Sequence, residues 1–350
     1  MKIDTFEINK HSSVFIIAEL SANHNGSLKV AIETIKAAKR SGADAIKLQT
    51  YTADTLTIDC DKEDFVLRSN SIWDGRTFYD LYQEAFTPWE WHESLFKAAQ
   101  EEGLICFSSP FDKTAVDFLE KLNTPAYKIA SFEITDIPLI EYVASKGKPV
   151  IISTGIAELE DIELALEACK RMGNNDIALL KCTSSYPAPI NEANMCMVKD
   201  LADRFNVISG LSDHTMGSTV PVVSTCFGAK IIEKHFILDR SIGGPDASFS
   251  MNEEEFTAMV KAVREAESAI GNIDYTLTEK QSKGKDFSRS LYVVEDVKEG
   301  DLVTEKNVKS IRPGFGLHPK YLPEIQNKRF VADYTKGTRL TWECILEVHL

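Results

Sequence analysis

The strongest constraint on this chain is an alternation repeated eight times: a short apolar run, a polar tip, then a segment of helical periodicity. The runs fall at 14–19, 45–50, 104–108, 126–130, 149–152, 177–182, 207–213 and 230–235. Ser27 is placed to cap a first helix ending near Arg40, and Gly42 stops it. Further helices are expected at 77–86, 88–102, 112–122, 136–146, 158–172, 194–205, 217–228 and 252–271, with Pro88 in a first helical turn. Eight such units in ~270 residues match the size of a (β/α)8 TIM barrel, the α/β fold that the pattern predicts. Runs that are apolar throughout suit parallel strands buried on both faces. Residues 51–76 break the rhythm with a polar insertion carrying a Trp73-Asp-Gly75 turn, which makes the segment a candidate lid.

Beyond residue 272 the texture changes. A polar, Lys-rich stretch at 273–289 reads as a linker, and 290–350 offers short β-favouring runs broken by frequent turns. So small a β-rich module is marginal alone and is expected to dock on a barrel. The predicted organisation is a catalytic barrel over 1–272, a linker over 273–289 and a small domain over 290–350.

A formal charge of −14 over 350 residues, with no basic run, argues against a nucleic-acid surface. Seven scattered cysteines without a C-x-x-C pair read as reduced thiols. The first residues lack an apolar signal core, and no apolar run is long enough to span a bilayer, so a soluble cytoplasmic protein is expected.

In barrels of this type chemistry sits at the C-terminal ends of the strands. The runs at 207–213 and 230–235 lead to His214 and His235, which neighbouring parallel strands would bring to one rim. Paired imidazoles can share a divalent metal with positions left open; alternatively, each histidine caps its strand by hydrogen bonding. Lys47 and Lys128 lie within strands, where an ammonium is costly unless an anion meets it. They serve either salt bridges to Glu19 or Glu133, or a bound phosphate or carboxylate ringed by the hydroxyls of Ser109, Ser131, Ser153, Ser184 and Ser212. A Schiff base at Lys128, as in a metal-independent aldolase, is a further reading. Gln49 and Tyr186 share the rim, and Asp246, in the Gly243-Gly-Pro-Asp246 loop, is a candidate for sugar hydroxyls. His24 is a weaker candidate, and His11, His92 and His349 are expected to face solvent.

Several stretches carry a resemblance. Ala18-Glu-Leu-Ser-Ala-Asn-His-Asn-Gly26, Ala45-Ile-Lys-Leu-Gln-Thr50, Tyr127-Lys-Ile-Ala-Ser-Phe-Glu133, Gly210-Leu-Ser-Asp-His-Thr215 and Glu233-Lys-His-Phe236 are similar to the sialic acid synthase family. Arg312-Pro-Gly-Phe-Gly-Leu-His-Pro319 resembles that family's antifreeze-like, or SAF, domain. Trp73-Asp-Gly-Arg76, Thr87-Pro-Trp-Glu-Trp-His92 and Gly316-Leu-His-Pro-Lys320 most resemble its pseudaminic acid synthase branch. The resemblance implies condensation of phosphoenolpyruvate with open-chain 2,4-diacetamido-2,4,6-trideoxy-L-altrose, with C–O cleavage and release of phosphate. It implies manganese or magnesium on His214 and His235, and phosphoenolpyruvate on Lys47, Lys128, Ser131, Ser153 and Ser212, with Ser109 nearby. Ser184 stands where the family often carries Asn. Glu19 would bind the water held by the metal, while Gln49, Glu133, Tyr186 and Asp246 would face the sugar. Arg312 would enter the partner subunit's site in a domain-swapped homodimer and meet an N-acetyl group. Sister synthases for N-acetylneuraminic or legionaminic acid, and a carbohydrate-binding protein, are the alternatives.

Overall fold

The computed structural model describes residues 1–68 and 73–346. The chain divides into two compact units, Met1–Gly271 and Asn272–Leu350.

The first unit opens with a hairpin of two very short strands, β1 (Lys2–Ile3) and β2 (Phe6–Glu7). Eight parallel strands follow: β3 (Phe15–Glu19), β4 (Ala45–Thr50), β5 (Ile105–Pro110), β6 (Tyr127–Ile129), β7 (Val150–Ser153), β8 (Ile177–Cys182), β9 (Ile208–Asp213) and β10 (Ile231–His235). They pair in chain order, and β10 closes on β3 to complete the barrel. The helices are α1 (Leu28–Arg40), α2 (Ala53–Leu56), α3 (Phe78–Ala85), α4 (His92–Glu101), α5 (Lys113–Lys121), α6 (Ile137–Ala144), α7 (Leu159–Arg171), α8 (Cys196–Phe205), α9 (Thr219–Cys226) and α10 (Glu253–Ile270). Local chemistry fixes their starts: the side chains of Ser27, Asp112, Asp136 and Asn252 accept from backbone amides of the first turns of α1, α5, α6 and α10. The helix expected from residue 88 begins four residues later, because residues 89–91 form a separate 3-10 turn after Pro88.

Side-chain alternation divides each strand between two environments. Ile16, Ala18, Ile46, Leu48, Leu211 and Ile232 face outward and join α1, α4 and α10 in one apolar layer. Phe15, Ile17, Ala45, Phe107, Leu180 and Ile231 face the barrel axis and form a second cluster with Ile3 and Ile8 of the hairpin segment. The hairpin thus plugs the N-terminal end of the barrel, with the Phe6 and Phe15 rings 4.8 Å apart. Two-residue strands carry no readable period, so this plug leaves no sign in the sequence.

In the second unit β11 (Ser290–Val293) pairs antiparallel with β12 (Val308–Ile311), and β13 (Arg329–Phe330) with β14 (Ile345–Leu346). Leu291, Val293, Val308, Phe330 and Leu340 supply its core. The stretch expected as a plain linker contains a short helix, α11 (Glu279–Lys283). Among the described residues no helix is long and apolar enough to cross a membrane.

Inside the barrel, Gly210 lets β9 approach β10: a β-carbon there would collide with the Ile231 carbonyl oxygen and with a Leu180 methyl. Gly210→Ala is expected to destabilise the fold by about 3 kcal/mol, at the upper end of overpacking costs, read as a lower urea midpoint at unchanged slope.

Candidate active site

The inward positions change character along the strands. Below lie the apolar residues just described; above them, in the same parity, come Glu19, Lys47, Gln49, Lys128, Ser153, Cys182, Ser212, His214, Glu233 and His235, all on the wall of one cavity of about 790 Å³. Register sets their heights: Glu19 lies level with both His235 and Lys47, and Ser212 with both Glu233 and Cys182.

One carboxylate oxygen organises the floor. Glu233 Oε1 lies 3.0 Å from Lys47 Nζ and 3.3 Å from Lys128 Nζ, and accepts from Ser212 Oγ at 3.1 Å. Lys47 also pairs with Glu19 at 3.1 Å, and Gln49 Nε2 donates to Glu19 at 2.9 Å. All four charged side chains are at most 5 % exposed. Burial would raise the Glu233 carboxyl, but Lys128 and Lys47 outweigh it and hold it down at about 2. For Glu19 burial wins: with the nearby Glu233 charge it lifts the acid to about 7 against the pull of Lys47. Lys47 is raised despite burial by its two carboxylates, whereas Lys128 is lowered by burial and by Lys47. The salt-bridge alternative therefore holds in part. Lys47 does meet Glu19, the partner common to both lysines is Glu233, and no ion pair to Glu133 occurs among the described residues.

Those pairs do not exhaust the polar groups. Ser109 Oγ, Ser153 Oγ, Glu133 Oε2, Glu233 Oε2 and His235 Nδ1 are buried without a hydrogen-bond partner. Such a concentration marks a place where a ligand completes the network. Gly155 keeps the space open, since a β-carbon there would collide with the hydroxyls of Ser184 and Ser131. Its amide donates to Ser131 Oγ at 3.1 Å.

The two imidazoles lie at one end, their ring centres 5.2 Å apart. His214 Nδ1 is 3.1 Å from the Thr183 carbonyl, which can only accept, so the Nε2 lone pair is left for a ligand. On the outward face, Lys234 pairs with Asp213 at 2.5 Å and donates to the Thr215 carbonyl, pinning the turn that carries His214. Burial, and then the charge of His214, push His235 well below the ordinary histidine range, so its ring is neutral. Asp246 Oδ2, 3.8 Å from His235 Nδ1, is held by Ser21 Oγ at 2.5 Å. No group of three or more His, Cys, Asp or Glu placed for a metal occurs among the described residues. Two imidazoles this close, one of them with an unsatisfied nitrogen, suit a divalent cation that keeps water or substrate in its remaining positions.

Ser131, Glu133, Ser184, Tyr186 and Asp246 also line the cavity. Ser109 is buried but is not on its lining, and Arg312 lies exposed in the second unit. Leu56, Asp64, Leu67, Arg68 and Trp73 of the 51–76 insertion line the cavity, while 69–72 fall outside the described residues. His11 is exposed as expected, and His349 lies outside the described residues. The expectation for His92 is corrected. It is fully buried, with Nε2 2.9 Å from Thr50 Oγ1 and its ring against Phe118, because α4 turns its first residue onto the barrel. His24 is likewise structural, packed on Trp91 and 3.3 Å from Thr87 Oγ1.

A NeuB family model matches residues 34–275, more than half of the chain, and a SAF domain model matches 288–346. The chain belongs to the NeuB family. The pseudaminic acid synthase of Campylobacter jejuni subsp. jejuni serotype O:2 is 50 % identical over 97 % of this chain and 98 % of that one. The pseudaminic acid synthase of Helicobacter pylori is 46 % identical over 90 % and 92 %. Among solved structures, the spore coat polysaccharide biosynthesis protein SpsE of Bacillus subtilis superposes with a TM-score of 0.67 at 32 % identity, covering 99 % of each chain.

In this NeuB barrel the residues that the sequence reading passed over are Glu233 and Cys182. Both have inward parity: Glu233 precedes His235 by two residues and Cys182 ends β8. Cys182 Sγ lies 3.8 Å from His214 Nδ1, and against the upward push of burial the His214 contact leads in holding the thiol at about 7. Removing the Glu233 charge leaves two buried ammonium groups with one carboxylate. Glu233→Gln is therefore expected to cost about 3 kcal/mol of stability, with inorganic phosphate restoring more of the melting temperature in the variant than in the parent, because phosphate no longer competes with Glu233. Equal phosphate shifts in the two proteins would count against the competition.

Proposed function

We propose that this chain is a pseudaminic acid synthase, condensing phosphoenolpyruvate with open-chain 2,4-diacetamido-2,4,6-trideoxy-L-altrose to give pseudaminic acid and phosphate. The observation that carries this reading is the near full-length identity to two pseudaminic acid synthases, 50 % and 46 %. The cavity is consistent with it, combining an ammonium pair, clustered hydroxyls and paired imidazoles on one wall.

In this reading Lys47 and Lys128 hold the phosphate and carboxylate of phosphoenolpyruvate, with hydroxyls from Ser131, Ser153, Ser184 and Ser212; the unpartnered Ser153 Oγ supports that assignment. Ser109, buried and level with Gln49 on the neighbouring strand, would lie near the anion site. The sugar aldehyde lies at the imidazole end, with Gln49, Glu133, Tyr186 and Asp246 along its chain. His214 and His235 would hold manganese or magnesium, which when bound supplies Lewis-acid polarisation of the aldehyde oxygen. Carbon 3 of phosphoenolpyruvate forms the new bond to the aldehyde carbon, leaving positive charge at its carbon 2. Water adds there and gives its proton to Glu19, whose carboxyl near 7 suits a base at neutral pH. The tetrahedral product then expels phosphate by C–O cleavage as its new hydroxyl becomes the ketone and gives its proton to the departing phosphate. The former aldehyde oxygen takes up the proton held by Glu19, and the two ammonium groups offset the departing charge. Co-localisation of both substrates accounts for much of the acceleration.

Incubation with phosphoenolpyruvate and each sugar in turn tests the reading. Phosphate release and the nine-carbon acid are expected with the trideoxy altrose and not with N-acetylmannosamine or the legionaminic precursor. EDTA should abolish both, and manganese or magnesium restore them. Turnover that prefers another sugar sinks the product assignment, and activity surviving EDTA favours a Schiff base at Lys128.

The working form in this proposal is a domain-swapped homodimer in the cytoplasm, a setting supported by seven free cysteines. Arg312, exposed after β12, would meet a sugar N-acetyl group in the partner subunit's cavity. Arg312→Ala is expected to raise the sugar KM about tenfold while leaving that for phosphoenolpyruvate near its parent value. Mixing Arg312→Ala with Lys128→Ala chains should restore part of the activity, because a mixed dimer carries one intact site; no recovery would argue against the swap.

A further inference from the structure

The charged floor of the cavity faces a wall of different character. Leu67, Trp73, Phe78, Leu81, Phe111 and Phe249 all line the cavity, from the 51–76 insertion, α3 and the loops after β5 and β10. The rings step outward from the imidazoles. Tyr186 lies 4.4 Å from His214 and Phe249 5.1 Å from His235, centre to centre. Trp73 comes next, 5.6 Å from Tyr186 and 6.3 Å from Phe249. Its indole N–H donates to the Pro245 carbonyl at 3.1 Å, so the ring itself is what Trp73 offers to the cavity. Asp64 and Arg68, from the insertion, are exposed, with Arg68 paired to Glu63, while Asp246, next to Pro245, is held by Ser21 Oγ.

We infer that this wall selects deoxy sugars, with Trp73 packing on the methyl group that ends the open chain. The inference rests on the proposed function, which sets the aldehyde carbon at the imidazoles. Carbon 6 is then the carbon farthest from them, and the succession of rings leads outward to Trp73. A methyl group there exchanges water for aromatic surface. A hydroxymethyl group brings an oxygen with no partner on the apolar wall. The insertion that interrupts the β/α rhythm thus contributes substrate choice, while the strand ends contribute the reacting groups.

The test uses the full-length protein at saturating phosphoenolpyruvate, with the trideoxy altrose and its 6-hydroxy counterpart as competing substrates. The parent is expected to favour the methyl sugar by about tenfold or more in kcat/KM, the range that an apolar pocket achieves. Trp73→Ala should lose most of that preference through the KM of the methyl sugar, with the KM for phosphoenolpyruvate unchanged. Trp73→Phe, which keeps an aromatic face, should fall between the two and stands in if the alanine variant does not fold. A preference untouched by either substitution, or equal losses on both sugars, overturns the inference. Parent enzyme that uses both sugars equally overturns it while leaving the proposed function in place. Parent enzyme inactive on both overturns the two together.

Discussion

The site depends on a single carboxylate oxygen shared by two buried ammonium groups. Lys128 has Glu233 as its ion-pair partner, Lys47 divides itself between Glu233 and Glu19, and the two ammonium groups hold Glu233 ionised against burial. The arrangement keeps positive charge ready in a chain whose formal charge is −14. It also keeps that charge partly neutralised in the folded chain. In the proposed reading an anion that binds there exchanges partners with Glu233, so the cost of assembling the ammonium pair is met during folding and not during binding.

The barrel makes this possible through parity and register. The same alternation that buries Phe15, Ile17 and Ile231 at the plugged end carries Glu19, Glu233 and His235 into the open end. Moving any of these strands by one residue would turn its polar set outward into the helix layer. Gly210 and Gly155 serve the same geometry at two heights, one admitting the neighbouring strand and the other leaving room for two hydroxyls. The apolar plug below gives the polar layer a dry base, in keeping with burial as the leading cause of the raised Glu19 carboxyl.

Most of this was legible in the sequence wherever a residue ended an apolar run. The eight strands, both histidines, both lysines and most of the serines follow from period, polarity and the rule that barrel chemistry sits at strand ends. Glu233 was harder because it looks like a flank of His235; counting two residues back along the strand reveals it as an inward neighbour one layer down. Cys182 was masked by its composition class, since a cysteine in an apolar run reads as core. The hairpin plug was invisible for want of length. His92 was misjudged because a polar residue at a helix start reads as solvated, whereas here it bonds Thr50 across the barrel wall. Trp73 announced a turn, and only the folded chain brings that turn back beside Tyr186 and Phe249.

Three carboxyl groups in one cavity are driven apart by what surrounds them. Glu233 sits at about 2, while Glu19 and Glu133 rise to about 7, each chiefly through burial. The consequences for stability have opposite signs. The lowered Glu233 contributes stability above its ordinary range near 4.5 and loses it as pH falls toward 2. The raised pair contribute stability below 4.5 and lose it as pH rises through 7. Near neutral pH the fold therefore gains from the acid that clamps the lysines and gives up stability at Glu19 and Glu133. A carboxyl left half-protonated by a dry environment is a poor structural group and an apt acceptor of a proton from water. In the proposed reading the division between Glu233 and Glu19, residues of adjacent strands that share the ammonium of Lys47, separates positioning the ammonium pair from accepting a proton within a few ångströms.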